Sequence, residues 1–596
     1  MKSMCLCLAL MFACIGSSLS AQDKLPAQDN TSTPEAVSAP EKASDQGNAS
    51  VREKATLAVQ DPATSDSLFG MTQVWEIHLE LDSDQWQAMQ PPDDVNWDAG
   101  AAFQGVMRDA TAGKHFHSDK SSRPGLAGYM GVDHQYGMAN VTIGDDTVTE
   151  VGLRFKGNGT FLVGHETGKF SFKIDFNEYR DEQEYRGLTK VNLNSCVTDP
   201  SMLREALSYE LFREAGIPAP RIAWAKVYLT VAGEKEREYL GLYELVEQVD
   251  KRFLKNRYGS AQGLLVKPST FGTFRYLGED WDKYKKGYYP KTKGTEEQQQ
   301  RLIALSRLIY LASDEEFANE IEAYLNVDQF LNYLAVNVLL SNLDSFLGGS
   351  QNYYAYLEPE SNQVQLIPWD LDNSFGTLAL VGRPDSRRDL SIDHPQVGND
   401  HRPIERVLAI PKYRQAYHDR LEQLMESVFA EEKMLRQIEE AGAFLRPLVA
   451  EGGDEALEQF DVVLGEKPKL RQPHVLKYFV RERRNSIAKQ LSGESEGSKV
   501  DWGGGIPPVV WSWLLAAIAV LFALMLNSGA WLWGVIAGFN GSAKWGLLNV
   551  FFYPIAPLVF GFYARRDVGL NAGRVTLCAS AIFVVTVVAS VMLLSP

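Results

Sequence analysis

Cysteine is scarce: the chain has five in 596 residues, and Cys5, Cys7 and Cys14 sit at its very start. Cys578 falls in a late apolar run, so Cys196 is alone in the long middle of the chain. That region can hold no internal disulfide, no thiolate zinc cluster and no CxxC redox pair. A domain of this size can do without such staples because its core is large. Positive charge is also short, 59 Lys and Arg against 76 Asp and Glu, for a net charge of −17. A nucleic-acid footprint is therefore not expected, and an acidic, soluble surface is. Ser341 has no GxSxG setting, which removes a hydrolase triad. The nine histidines are scattered, and His115-x-His117 has no further ligands at a zinc spacing, so it reads as a surface loop. No aromatic residue occurs between 22 and 66. That stretch is rich in Ala, Ser, Thr, Pro, Asp and Gln. It buries too little apolar area to offset its ordering entropy, and residues 21–66 read as a disordered leader.

What is present begins with Lys2, an apolar run over 4–15, and small residues to Ala21. This is the pattern of a signal peptide over residues 1–20, too short to span a bilayer. Residues 67–265 alternate as strands do, for example over 150–156, 170–176 and 225–231. One helix interrupts them, with Asp199 as its cap, Pro200 in its first turn and Leu203, Leu207, Leu211 and Phe212 at helical spacing. Gly216 and Pro218 end it. From 298 onward the spacing turns helical, broken by short strands near 353–357 and 364–367. The expected fold is α+β: a strand-rich lobe over 67–265, a helical lobe over 266–492 and a linker over 493–507. Residues 508–596 hold apolar runs at 508–526, 545–564 and 575–594, with Trp511, Trp513, Trp531, Trp533 and Trp545 placed as interfacial anchors. These runs carry few charges, which argues against ion or proton transport. Three spans would leave Arg565, Arg566 and Arg574 outside, and a fourth short crossing over 531–539 would reverse that. An export signal and C-terminal spans together place the central domain on the outer side of the cell membrane. A cytoplasmic domain behind a misread N-terminus is the rival arrangement.

The chemistry concentrates late in the chain. Asp344 follows an apolar helix, Asn352 follows a Gly-containing loop, and Asp370 and Asp372 lie in Pro368-Trp369-Asp370-Leu371-Asp372-Asn373-Ser374-Phe375-Gly376. Each alone could be a turn or capping residue. Together they supply a carboxylate to orient an attacking hydroxyl and oxygen ligands for a divalent metal on phosphates.

Four segments resemble successive blocks of the CotH family of atypical kinases and occur in family order. They are Arg154-Phe155-Lys156-Gly157-Asn158-Gly159-Thr160, Phe172-Lys173-Ile174-Asp175-Phe176, residues 239–247 and residues 368–376. The resemblance implies a two-lobed, protein-kinase-like domain that binds ATP with Mg2+ or Mn2+ and phosphorylates protein Ser or Thr. It makes Asp344 the catalytic Asp and Asn352 a metal ligand, with Asp370 or Asp372 the leading metal-binding Asp. Lys173 would pair with ATP phosphates and with Glu205. Arg154, Lys156 and Asn158 would cover the phosphates, and Glu247 would lie near the adenine. There is no GxGxxG loop, no His-Arg-Asp triplet around Asp344, and the gap from Asp344 to Asn352 is long for a kinase. An inactive, kinase-like surface binding or assembly protein is the alternative. The expected acceptor is an exported or surface protein, one with basic residues to suit the acidic net charge.

Overall fold

The computed structural model describes residues 64–93, 95–111, 120–269, 273–349, 351–398, 401–465, 474–502, 508–555, 571 and 574–586. They belong to two compact units that divide between Gly503 and Gly504. The expected signal peptide, nearly all of the leader and the His115-x-His117 pair lie outside the described residues. Order starts earlier than expected, with a 3-10 turn at Ser65–Leu68. The backbone carbonyl of Leu68 accepts from Trp75 Nε1 at 2.9 Å.

Seven strands make the first half: β1 (Val74–Leu81), β2 (Gly137–Ile143), β3 (Asp146–Lys156), β4 (Ser171–Asp175), β5 (Lys190–Asn194), β6 (Ile222–Val231) and β7 (Lys235–Glu247). They close into a barrel in the order β1-β2-β3-β4-β5-β7-β6. Closure comes from β6 lying parallel to β1, in register from Val74–Trp224 to Leu81–Val231. Alternation drives this: Ile77, Leu79 and Leu81 on β1 are buried, as are Val151, Leu153 and Phe155 on β3. A closed barrel also leaves no open strand edge.

The second half is mainly helical and contains a three-stranded sheet in which β8 (Leu264–Val266) and β10 (Gln363–Pro368) flank β9 (Tyr353–Glu358). A clean division into two lobes at residue 265 is not observed. β8 straddles that point and pairs with β9, as in Leu265–Tyr356. The helix Arg204–Glu214 also shares its core with the second half. Its Phe212 ring lies 5.5 Å from that of Tyr333 on the buried helix Val327–Leu339. That helix begins four residues later than Pro200. Asp199 instead accepts from the amides of Ser201 and Arg204, each at 2.9 Å, and pairs with the Arg204 guanidinium, which carries it inward.

In the second unit the helix Pro508–Gly541 runs unbroken for 34 residues. The expected short crossing over 531–539 is thus its continuation, because nothing in 526–531 breaks the helical ladder. Its Ala519–Gly541 portion has mean hydropathy 1.7 and is the one described helix long and apolar enough to cross a membrane. The helix Ala543–Phe551 and the apolar helix Arg574–Thr586 are shorter. The remainders of the runs at 545–564 and 575–594 lie partly outside the described residues.

Candidate functional site

A cleft of about 840 Å³ lies where the barrel meets the helical half, and it gathers residues from both. Eight of the ten side chains singled out in the sequence line it: Arg154, Lys156, Asn158, Lys173, Asp344, Asn352, Asp370 and Asp372. Glu205 and Glu247 do not.

The carboxylate side is built by local constraints. Asn352 has φ +57, a left-handed conformation that Asn tolerates, and its Nδ2 donates to the Asp344 carbonyl at 2.8 Å. This turns the amide oxygen of Asn352 away as a free acceptor. Asp344 Oδ1 accepts from Gln351 Nε2 at 3.1 Å and Oδ2 accepts from Asn373 Nδ2 at 3.0 Å. Burial first, and then the charge of Asp370, push the Asp344 carboxyl up to about 7, against the two amide donors. A group poised there can act as a base near neutral pH. Asp372 accepts from Thr198 Oγ1 at 2.6 Å. Burial, Asp370 and Glu205 hold its carboxyl well above the ordinary range.

The helix Arg204–Glu214 is fastened to this turn. The Asp370 amide donates to Tyr209 Oη at 3.1 Å, and Ser208 and Ser374 hydroxyls lie 2.7 Å apart. Glu205 is buried one layer behind the cleft. Asn194 Nδ2 donates to its Oε2 at 2.8 Å, and Lys156 Nζ donates to Asn194 Oδ1 at 2.5 Å. Burial lowers the Lys156 pKa, and the charges of Asp370 and Glu205 oppose that effect. The expected Lys173–Glu205 pair is therefore not formed. Lys173 donates instead to Gln248 Oε1 at 2.8 Å, beside Asn192. Of the two lysines, it is Lys156 that links the helix to the aspartates.

Glu247 also departs from expectation. It accepts from the Arg221 guanidinium, at 2.9 Å from Nε and 2.6 Å from Nη2, and it meets Arg257 Nη2 at 3.3 Å. It is spent on a buried ion cluster, while its neighbours Gln248 and Val249 face the cleft. The strand β7 ends at Glu247, and the cleft lining begins just past that end.

Arg123, Lys267 and Lys291 were not visible in the sequence as site residues, yet all three line the cleft. Among the described residues, ten Lys or Arg side chains line it against four Asp and no Glu. This is the reverse of the chain's overall charge. Each of the three follows a turn or short strand with no motif around it, so only the fold could bring them together.

No described group of three or more His, Cys, Asp or Glu is arranged to hold a metal ion by itself. A magnesium site needs only one or two carboxylates plus substrate oxygens. Asp370 and Asp372, crowded enough to raise the Asp372 pKa, and the free amide oxygen of Asn352 fit that donor set.

The family model described as CotH kinase protein matches residues 153–487. The chain belongs to that family. The inner spore coat protein H of Bacillus subtilis is 27% identical over 330 residues, spanning 54% of this chain and 83% of that protein. An inner spore coat protein H-like protein from the same organism is 24% identical, spanning 46% of this chain and 71% of its own length. Among solved structures, a Shewanella oneidensis complex of HipA, HipB and operator DNA aligns over 62% of this chain and 78% of its own. Its identity is 14% and its TM-score 0.26, too low to carry any conclusion. The CotH match begins inside β3, so β1, β2 and Arg123 lie before it. The chain is a kinase-like protein of the CotH family.

Proposed function

We propose that this CotH-family protein is an ATP-dependent kinase that phosphorylates Ser or Thr of an exported or surface protein. The convergence of Asp344, Asn352, Asp370, Asp372 and Lys156 on one cleft supports this most directly. Asp344 receives the proton of the acceptor hydroxyl as the oxygen bonds to the γ-phosphorus, while the β–γ bridging P–O bond breaks and ADP leaves. Gln351 and Asn373 fix its carboxylate in place. Lys156 contributes positive charge beside the phosphates and is steadied through Asn194 and Glu205. Asp370, Asp372 and Asn352 would hold Mg2+ or Mn2+, which would neutralise phosphate charge and orient the chain of phosphates.

The apolar helix Ala519–Gly541 supports anchorage to a membrane, and the expected export signal supports placing the kinase-like unit outside the cytoplasm. A second reading, a non-catalytic binding protein, draws on one observation. Both Asp344 oxygens already accept from amides, as in a purely structural carboxylate.

The test is transfer of labelled γ-phosphate from ATP by the full chain in detergent with Mg2+ or Mn2+, to itself or to a generic Ser/Thr acceptor. Labelling that disappears in Asp344→Asn supports the kinase. Absence of labelling in the native chain together with no ATP binding moves the reading to the binding protein.

A further inference from the structure

The cleft has a feature that the carboxylate side does not explain. Four cations come together from four separate parts of the chain: Arg123 ahead of β2, Arg154 on β3, Lys267 after β8 and Lys291 after the helix Asp282–Tyr288. Each is fixed in direction by a nearby contact. Arg123 Nη2 donates to the Gly157 carbonyl at 3.0 Å, and Arg154 Nη1 donates to the Phe155 carbonyl at 2.9 Å. Lys267 Nζ sits 5.3 Å from the centre of the Trp369 ring, and Lys156 Nζ lies 5.5 Å from the same ring. Lys291 Nζ sits 3.6 Å from the centre of the Tyr289 ring.

Their charges are poorly compensated. Arg123 Nε is buried and has no hydrogen-bond partner among the described residues, and the carboxylate that Arg123 senses, Asp133, lies outside the cleft lining. Lys267 senses Asp370 as its main opposite charge, but it also senses Lys156, Arg123 and Arg154. For Lys291 the surrounding charges are Lys267, Arg154 and Arg123, all of its own sign. Buried like charges repel, and such an arrangement persists where an anion completes it. The turn from Lys156 to Thr160 is pinned by neighbours of the cradle. Gly157 O is already taken by Arg123 and by His134 Nε2 at 3.1 Å, and the Asn158 side chain lies against Gly125 and accepts from the Ala127 amide at 3.4 Å.

We propose that Arg123, Arg154, Lys267 and Lys291 form a side-chain cradle for a condensed phosphate chain, doing with cations what a glycine-rich loop does with backbone amides. This deepens the kinase reading and rests on it for the identity of the donor, since an inorganic polyphosphate presents the same anhydride-linked phosphates as a nucleoside triphosphate. Arg123 reaches the cradle from outside the stretch that matches the family model. Residues ahead of that stretch are therefore part of the ligand site.

The experiment is calorimetric titration of the full chain in detergent, with a chelator and no added metal, using ATP, inorganic tripolyphosphate and adenosine as separate probes. Arg123→Gln, Lys267→Met and Lys291→Met should each weaken ATP and tripolyphosphate about tenfold to a hundredfold. Adenosine binding should be unchanged. Because each substitution relieves repulsion, the melting temperature without ligand should hold or rise, which a damaged fold would not show. Binding of tripolyphosphate without ATP would keep the cradle and defeat the ATP kinase reading. Variants that bind ATP within about twofold of the native chain would overturn the cradle and leave the kinase reading standing. Parallel loss of adenosine binding and melting temperature in all three variants would also overturn it, as it would assign these residues to the fold.

Discussion

The two sides of the cleft are built in different ways. The carboxylate side comes from one short stretch, Asp344 to Asn373, and both oxygens of its Asp344 are held by protein donors. The cation side is assembled from four distant segments, and several of its groups are left short of opposite charge. A satisfied constellation holds its geometry without ligand and is suited to chemistry, which needs positions fixed within fractions of an ångström. An unsatisfied cluster stores a demand for an anion and is suited to binding. The contrast separates catalysis from grip.

The largest effect is expected on the carboxylate side. Asp344→Asn should lower phosphate transfer about a thousandfold, within the usual range for losing a positioned base. Affinity for ATP, read by calorimetry, should stay near native, because grip lies elsewhere. A variant that lost binding as much as turnover would erase the separation.

Next is the lysine that joins the sides. Lys156→Met should reduce turnover about a hundredfold, since it removes both a phosphate contact and the support of Glu205. Lys173→Met, whose ammonium is engaged with Gln248, should have a clearly smaller effect on transfer rates. Equal losses would return Lys173 to the role that its strand suggested.

A third substitution tests what is outside the comparison. Glu247→Gln should leave nucleotide affinity unchanged and destabilise the fold by about 3 kcal/mol in urea denaturation, because Arg221 and Arg257 lose a buried partner.

These contrasts also show what the sequence could reveal. Asp344, Asn352, Asp370 and Asp372 were legible because they are close in the chain and chemically uniform in purpose. The buried helix Val327–Leu339 was legible because Val327, Phe330, Leu331, Leu334 and Val338 recur at helical spacing. Lys173 was matched with Glu205 where Lys156 is the lysine linked to it; the two stand on adjacent strands, with Arg154 opposite Lys173 and Lys156 opposite Ser171. Which of them reaches toward Glu205 depends on how the barrel curls. Glu247 is the last residue of β7, and the cleft lining begins at the residue after it. Barrel closure itself depends on the parallel β1–β6 pairing, which spans some 150 residues and has no local signature. Arg123, Lys267 and Lys291 share no spacing at all.

The smallest expected effect concerns the cation side at rest. Burial and neighbouring cations lower the Lys267 pKa to about 8 from its ordinary 10.5. Between these values the unfolded chain binds more protons than the folded one, so unliganded stability should rise as pH increases across that window. Lys267→Met should flatten this part of a stability–pH curve measured by chemical denaturation. A native curve that falls with pH there would contradict the crowding of charge.

The central claim is that both sides serve one metal–triphosphate complex. It is tested most directly by electron paramagnetic resonance of Mn2+ with ATP and the full chain in detergent. The native chain should give a protein-bound Mn2+ spectrum that is lost both in Asp370→Asn with Asp372→Asn and in Lys267→Met with Lys291→Met. A bound spectrum that survives removal of the two lysines would show that the sides hold separate ligands and would contradict the account.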